Sequence, residues 1–522
     1  MISFEHASFS YRIPAAAMSK GQAGPVPSGP AGVEDVSFSV APGEVVVLCG
    51  RSGCGKSTLL RLANGLAPRF FLGEKRGRVL LEGDEVGTLS TWEIAGRAGS
   101  LFQNPRTQFF NVDTTGEVAF ALESAGWPEG DIRTRVCETF DELDLSSLAG
   151  CDIFELSGGE RQKVAFAGIW ALHPANLLLD EPTSNLDLPS IADMAAFVAH
   201  AKAAGCSVLV AEHRLSWLAG IADRYVYLDK GHIARIMDAT EFASLDAGEV
   251  ARMGLRVRSL DEVQPAVAST ARATVASTVV ADRPFASDTC GEPPLLAARN
   301  LALDYGVTPV LRAVDMELHA GEVCALVGSN GAGKTTLCRS LCGFERRARG
   351  AVSVDGTTAS RRERMRVSSM VFQDVNYQLF AEDVASEVTF GLPRRAAGSV
   401  DVAGILSQLA LEGLDDRHPA TLSGGQKQRL AVAACVAADK RVLVFDEPTS
   451  GLDLDGMRLV ARLLGQLAAQ GRAVLVVTHD LELVASACGC VLPLDDGRAG
   501  PPVSVGGHFD TVKAMMGVPT SG

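Results

Sequence analysis

The sequence predicts an α/β protein built from two copies of one domain, and three observations carry that reading. A stretch running from Glu155, Leu156, Ser157, Gly158 and Gly159 to Asp180, Glu181 and Asp187 returns in the second half as Thr421, Leu422, Ser423, Gly424 and Gly425 to Asp446, Glu447 and Asp453. Ser157 and Ser423, Asp180 and Asp446, Asp187 and Asp453, and His213 and His479 are all 266 positions apart. An offset held across four landmarks marks a duplicated domain. Each copy also carries a short apolar run, residues 45–49 and 323–327, that leads through a glycine-rich loop into a helical pattern, as buried parallel strands do. Finally, 47% hydrophobic but only 6% aromatic residues suit a core of Ala, Val and Leu.

Taken in order, residues 2–11 alternate as a strand and an insertion follows over about 13–32. Its Pro, Gly and Ala content builds no packed element, so a surface loop is expected. Strand alternation resumes at 33–40, and the second copy repeats the pattern without the insertion. The expected division is a first domain over 1–245, a flexible linker over 246–292 and a second domain over 293–522. The linker assignment rests on 266–289, rich in Ala, Ser, Thr and Val with no amphipathic period.

Several classes are disfavoured. A formal charge of −14 argues against a general nucleic-acid binder, which needs clustered Lys and Arg. No run approaches the roughly 18 apolar residues of a spanning helix, so any membrane involvement must come through another chain. The start reads as a strand rather than a signal peptide. Twelve cysteines without an ordered framework suggest a reducing compartment. Cys338 and Cys342, and Cys488 and Cys490, read as small core residues, because no His stands at metal-ligand spacing.

Gly50, Ser52, Gly53, Gly55, Lys56, Ser57 and Thr58 fit the phosphate-loop pattern, as do Gly328, Asn330, Gly331, Gly333, Lys334, Thr335 and Thr336. The glycines let backbone N–H groups turn in around phosphate, and the helix N-terminus adds partial positive charge. Lys56 and Lys334 suit the β/γ-phosphates, and Ser57 and Thr335 suit Mg²⁺. Asp180 and Asp446 end apolar strands and suit the magnesium shell. The following Glu181 and Glu447 suit a general base that orients water. His213 and His479 could be satisfied core histidines, but their equal spacing from the acidic pairs points to a γ-phosphate or water contact. Gln103 and Gln373, at strand ends, could sense Mg²⁺ and the water or cap a turn. Ser157, Gly158 and Gly159, with Ser423, Gly424 and Gly425, open helical runs and form lysine-free anion cradles. A head-to-tail pairing would close each cradle on the other copy's nucleotide.

Phosphate loop, Gln, Leu-Ser-Gly-Gly, Asp-Glu and His, in that order and twice over, resemble two fused nucleotide-binding domains of the ABC ATPase superfamily. The resemblance implies tandem P-loop NTPase domains, each with a RecA-like, mainly parallel sheet core, an antiparallel β subdomain and a helical subdomain. It also implies ATP hydrolysis, with ATP and Mg²⁺ as cofactors. Tyr11 and Tyr305 would stack on adenine, and Asp187 and Asp453 would lie in loops connecting the sites. Site one would use Lys56, Ser57, Gln103, Asp180, Glu181 and His213 with Ser423 and Gly425. Site two would use Lys334, Thr335, Gln373, Asp446, Glu447 and His479 with Ser157 and Gly159.

Within the superfamily, the segments Phe102–Phe110 and Phe372–Phe380, with the acidic-apolar runs 115–120 and 385–390, resemble the energy-coupling-factor importers. That implies a place at the cytoplasmic face of the cell membrane beneath two partners, a transmembrane coupling protein and a small membrane substrate-binding protein, serving vitamin or metal uptake. Gln108, Phe109 and Phe110, with Gln378, Leu379 and Phe380, would lie near the groove that grips coupling helices. Ordinary core packing is the alternative for these aromatics. Glu160 stands where the other copy has Gln426 and the family usually has Gln; it flanks the helix start without replacing the Ser or glycines, so slower or asymmetric turnover is expected at most. Cys54, at a helix start, is expected to have a lowered thiol pKa and to be oxidisable. All catalytic positions are present in both copies, against a pattern with one dead site. The competing function is a soluble twin ATPase acting on ribosomes or nucleic acid, for which a basic helical arm is expected and not found. A DNA-repair ATPase would need inserted zinc-binding Cys pairs.

Overall fold

The computed structural model describes residues 1–12, 28–103, 108–184, 186–266, 293–306 and 308–518. It divides into two compact units, Met1–Glu262 with Ser450–Gly456, and Val263–Thr449 with Met457–Gly522.

The first unit opens with β1 (Ile2–Arg12), β2 (Ser28–Val40) and β3 (Val45–Gly50), which leads into α1 (Lys56–Ala63). Next come α2 (Leu66–Arg69), β4 (Gly73–Leu81), β5 (Asp84–Glu85), α3 (Thr91–Arg97) and β6 (Ala98–Leu101). The helices α4 (Thr114–Ser124), α5 (Glu129–Glu142) and α6 (Gly158–Trp170) follow without an intervening strand. Alternation resumes with β7 (Asn176–Asp180), α7 (Leu188–Ala203), β8 (Ser207–Ala211), β9 (Arg224–Asp229) and β10 (His232–Asp238). The helices α8 (Ala239–Ser244) and α9 (Ala247–Arg252) end this run.

Two sheets result. One is antiparallel, in the order β2-β1-β4-β5, and the other has the order β10-β9-β3-β8-β7-β6. In the second sheet β9, β3, β8, β7 and β6 run parallel, and β10 is an antiparallel edge strand. Every residue of β3 is buried, which explains its unbroken Val-Val-Val-Leu-Cys run, whereas β1 buries only Ile2, Phe4, Ala7 and Phe9. Each large aliphatic side chain buried this way contributes roughly 1.5–3 kcal/mol.

The second unit repeats the plan. It contains β11 (Leu296–Tyr305), β12 (Thr308–Leu318), β13 (Val323–Val327), α10 (Lys334–Leu341), β14 (Arg349–Val354) and β15 (Thr357–Thr358). Then come α11 (Arg361–Val367), β16 (Ser368–Val371), α12 (Val384–Val388), α13 (Arg394–Ala397), α14 (Val402–Gln408) and α15 (Gly424–Ala437). The last part holds β17 (Val442–Asp446), α16 (Leu454–Ala469), β18 (Ala473–Val477), α17 (Leu481–Ala487) and β19 (Cys490–Asp495). It closes with β20 (Arg498–Ala499), β21 (Val503–Ser504) and α18 (Phe509–Met515). Its sheet orders, β12-β11-β14-β15 and β16-β17-β18-β13-β19-β20, follow those of the first unit, with β21 added beside β19. The α/β fold class, with tandem domains of mainly parallel core, antiparallel sheet and helical layer, is therefore as the sequence predicts.

Two boundaries differ. The loop expected over 13–32 is shorter at its far end, because Ser28–Val40 is one strand in which Arg12 pairs with Ser28 and Ser10 with Ala31. Residues 13–27 lie outside the described residues. The linker expected from 246 also begins later. Asp246 caps α9 by accepting from Glu249 N (2.8 Å), Val250 and Leu255 are buried, and the first unit extends to Glu262. Short helices with one or two apolar anchors leave too little periodicity to be read. Residues 267–292 lie outside the described residues. Cys338 and Cys342 pack in the apolar core as expected, and Cys488 is buried. Among the described residues no helix is long and apolar enough to cross a membrane, and no cluster of His, Cys, Asp and Glu could hold a metal.

Candidate functional site

The site of the first unit is built where β3 hands over to α1. Gly50 has φ 142° and a Cβ there would lie 2.3 Å from Leu228 O, so only glycine fits. Gly55 (φ 108°) opens α1 with no side-chain cap, leaving the first helical N–H groups for a ligand. Lys56 is buried and folds back over the loop, donating from Nζ to Gly50 O (2.9 Å) and Arg51 O (3.2 Å). Phosphate oxygens at the same place would satisfy the ammonium in the same way. The second unit repeats this, with Lys334 Nζ donating to Gly328 O (2.6 Å) and Ser329 O (2.8 Å).

Beside each loop lies a hydroxyl–carboxylate pair. Ser57 Oγ donates to Asp180 Oδ1 (2.9 Å) and Thr335 Oγ1 to Asp446 Oδ2 (2.7 Å). Burial holds both aspartates above the ordinary carboxylate range. A hard, oxygen-only pair next to a phosphate loop fits Mg²⁺, which takes one or two protein oxygens and completes its shell with phosphates and water.

Glu181 and Glu447 stand one residue past their strands in left-handed backbone, φ 46° and 50°. Few non-glycine residues adopt that conformation, and it is held here by Glu181 N donating to Ala211 O and Glu447 N to Val477 O, both at 2.9 Å. Burial, helped by the neighbouring Asp180, pushes the Glu181 carboxyl up to about 8. A carboxyl that binds a proton near neutrality is suited to take one from water. Gln103 Nε2 donates to Glu181 Oε2 (2.7 Å), and His213 Nε2 lies 3.5 Å from Glu181 Oε1. Burial, then the charges of Lys56 and Arg256, hold His213 well below the usual histidine range, so it is neutral. His479 Nε2 is 3.7 Å from Glu447 Oε1.

The structure thus gathers Lys56, Ser57, Asp180, Glu181, Gln103 and His213 around one loop. In the second unit it pairs Thr335 with Asp446 and His479 with Glu447. Gln373 is exposed at the end of β16. Tyr11 borders the first site, its hydroxyl 2.9 Å from Thr58 Oγ1 and accepting from Arg61 at 3.1 Å. Tyr305 is half-exposed and donates to Glu345 (3.0 Å). The Leu-Ser-Gly-Gly stretches form separate helix N-termini. Ser157 accepts from Glu160 N (3.2 Å) while the Glu160 side chain accepts from Ser157 N (2.8 Å). Ser423 and Gln426 do the same at 3.3 and 3.0 Å. Glu and Gln are therefore equivalent as partners in this capping box. Asp187 and Asp453 cap α7 and α16, accepting from Ser190 N (3.1 Å) and Gly456 N (2.8 Å).

The expectation for Cys54 is overturned. Its thiol is buried, and burial raises its pKa more than Lys56 and the helix start lower it. Sequence reasoning also missed Glu212, which is buried and accepts from His213 N (2.7 Å), Trp217 Nε1 (3.2 Å) and Thr183 Oγ1. A charged residue directly after the fully buried β8 was the available signal. Arg256 was missed because it lies where a linker was expected.

The ABC transporter family matches residues 33–184 and 311–450, more than half of the chain. The chain belongs to the ABC transporter family. It is 40% identical over 464 residues to a Treponema denticola protein provisionally named an ABC transporter ATP-binding protein, covering 89% of this chain and 92% of that one. It is 32% identical to a Bacillus subtilis protein provisionally named an HMP/thiamine import ATP-binding protein, with 89% and 86% covered. Among solved structures it is similar in fold to the RNase-L inhibitor (TM-score 0.61, 22% identity, 98% of this chain and 93% of that one). An archaeal ribosome recycling factor, solved with a ribosomal stalk protein, gives TM-score 0.59 at 22% identity, with 93% and 90% covered. At that identity the likeness speaks to the tandem fold alone. As a tandem ABC ATPase the protein binds ATP and is an ATP hydrolase.

Proposed function

We propose that this ABC ATPase powers an importer of the energy-coupling-factor type from the cytoplasmic face of the membrane, working with a transmembrane coupling protein and a small membrane substrate-binding protein. The observation that carries this reading is an exposed aromatic platform present in both units. Gln108 closes the end of β6, accepting from Phe102 N (3.3 Å) and donating to Ser100 O (3.2 Å). Gln378 does the same with Phe372 N (3.1 Å) and Met370 O (2.9 Å). Two residues beyond each amide an aromatic ring stands in solvent, Phe110 at 73% exposure and Phe380 at 66%. Phe120 stacks on Phe110 at 4.8 Å, and Phe390 sits 6.0 Å from Phe380. Core packing accounts for Phe109 but not for Phe110, and paired exposed rings fit an apolar helix from a partner.

In this reading Lys56 and Lys334 hold the β/γ-phosphates, and Tyr11 and Tyr305 face adenine. Glu181 and Glu447 orient and deprotonate the attacking water, with Gln103, Gln373, His213 and His479 fixing its position. Ser57 with Asp180, and Thr335 with Asp446, would hold Mg²⁺, which supplies charge neutralisation for the phosphates. The helix N-termini at Ser157, Gly158 and Gly159, and at Ser423, Gly424 and Gly425, offer lysine-free cradles for phosphate.

The test is affinity purification of the tagged chain from detergent-solubilised native membranes, with mass spectrometry of what co-purifies. A polytopic membrane protein and a small membrane-embedded binder are expected, and both should be lost from a chain carrying Phe110→Ser and Phe380→Ser. Recovery of ribosomal proteins in their place would overturn the transport reading and leave the ATPase chemistry intact.

A further inference from the structure

Among the described residues Arg256 heads the fully buried side chains by volume, at 2% exposure, and neither phosphate binding nor the acidic pair accounts for it. A buried guanidinium is costly unless its donors are satisfied, so its partners show what it is for. Its Nη1 donates to Leu452 O (3.3 Å) in the segment Ser450–Gly456, which packs within the first unit. The next residue, Asp453, accepts from the phosphate-loop N–H of Ser52 at 2.7 Å. The preceding one, Gly451, lies so close to the acidic site that an added Cβ would be 3.0 Å from Gln103 Nε2 and 3.1 Å from Glu181 Oε2.

The chain around Arg256 is firmly held. Tyr227 donates to Met253 O (3.1 Å), and Arg51 to Arg252 O (2.9 Å). Arg258 donates to Ala243 O and Leu245 O at the end of α8 and pairs with Glu262 (2.8 Å). Arg51 also pairs with Asp455, so the side chain that holds Arg252 O also touches the 450–456 segment. The second copy repeats Met253, Gly254 and Leu255 as Met516, Gly517 and Val518 but follows them with Pro519, which has no charge to offer.

We infer that Arg256 is a positioning residue for ATP hydrolysis at the first site, holding the 451–453 loop against the phosphate loop and the Gln103–Glu181 pair. Arg256 acts through the loop it holds, its Nη1 donating to Leu452 O. It acts by fixing where Gly451 and Asp453 stand, and its charge also helps to keep His213 neutral. The inference rests on the assignment of Glu181 as base at this site. It makes the two sites unequal, since Pro519 stands in the second copy where the first has Arg256.

The test uses the full chain with Arg256→Met, Arg256→Lys, Gly451→Ala and Glu181→Gln. ATP turnover is measured at saturating and limiting MgATP, nucleotide affinity with a fluorescent ATP analogue, and stability by thermal unfolding. Arg256→Met is expected to lower kcat at least fivefold with nucleotide affinity within twofold of the parent. Arg256→Lys should recover at least half of the turnover, because an ammonium can still donate to Leu452 O. Gly451→Ala should reproduce the loss of kcat with Arg256 intact. Parental turnover in Arg256→Met or in Gly451→Ala overturns the inference. So does a loss that lysine fails to recover and that follows a lowered melting temperature, which would make Arg256 a packing residue. Parental turnover in Glu181→Gln, by contrast, would remove the assignment of the base itself.

Discussion

Glu181 Oε1 and His213 Nε2 face each other at 3.5 Å, with Gln103 bonded to the other carboxylate oxygen at 2.7 Å. The carboxyl is thereby aimed and desolvated without being bound by a cation, as a base that must accept a proton from water requires. Glu181→Gln keeps the shape and the hydrogen-bonding reach but not the basicity. Hydrolysis in Glu181→Gln and in Glu447→Gln is expected to fall at least tenfold, while ATP affinity stays within about threefold of the parent. Steady-state turnover and equilibrium nucleotide binding check this, and two single variants at the parental rate would remove the assignment.

The chemistry at these positions was legible because each motif is dictated by local geometry. A phosphate loop needs Gly50 and Gly55 at positive φ, and a base beside a metal-binding aspartate needs Asp180 and Glu181 in sequence. Two sheets of matching strand order followed from the 266-residue offset. What was illegible depends on long-range packing. Cys54 sits at a helix start, which lowers a thiol's pKa, but strands brought over it from elsewhere bury it, and burial wins. Arg256 reads as a surface charge in a linker until the fold places Leu452 beside it.

Glu160 and Gln426 make the same capping box, so their difference reduces to one negative charge on the first turn of α6. A carboxylate there favours the helix dipole by about 0.3–1 kcal/mol but opposes an anion approaching the same N–H groups. Glu160→Gln is expected to lower the apparent KM for ATP about two- to fivefold, with a slightly lower melting temperature, and Gln426→Glu to do the reverse. An unchanged KM in both variants would show that these helix starts do not meet the nucleotide.

Glu117 and Glu387 shape the aromatic platforms. Glu117 Oε2 accepts from Phe110 N (2.9 Å) and Asn111 N (2.8 Å), and Glu387 Oε2 from Phe380 N (2.7 Å) and Ala381 N (2.6 Å). Removing either carboxylate strands two backbone donors, at about 1–3 kcal/mol each where they are buried. Glu117→Ala with Glu387→Ala should therefore abolish co-purification of the proposed membrane partners while ATP turnover of the isolated chain stays within twofold. Retained partners would mean that the platforms do not need this geometry.

The helical layer of the first unit is locked by a pair that the second lacks. Arg135, buried on α5, donates from Nη1 to Glu142 Oε1 (2.8 Å) and from Nη2 to Oε2 (3.2 Å), and from Nε to Ala171 O at the end of α6 (2.9 Å). Trp170 Nε1 also donates to Glu142 (3.0 Å). The positions 266 residues on are Asp401, Gln408 and Val436, which cannot rebuild the pair. Arg135 holds the Glu142 carboxyl at about 2, well below its ordinary 4.5. A depressed carboxyl contributes stability that is complete above 4.5 and disappears as pH falls from there towards 2. Glu142→Gln should therefore cost about 1–2 kcal/mol at pH 7, after allowance for the partial exposure of the pair, and almost nothing at pH 2. Thermal unfolding of parent and variant between pH 7 and pH 2 reads this directly. A melting-temperature difference that stays constant across that range would show that the carboxylate's charge does not hold α5 to α6.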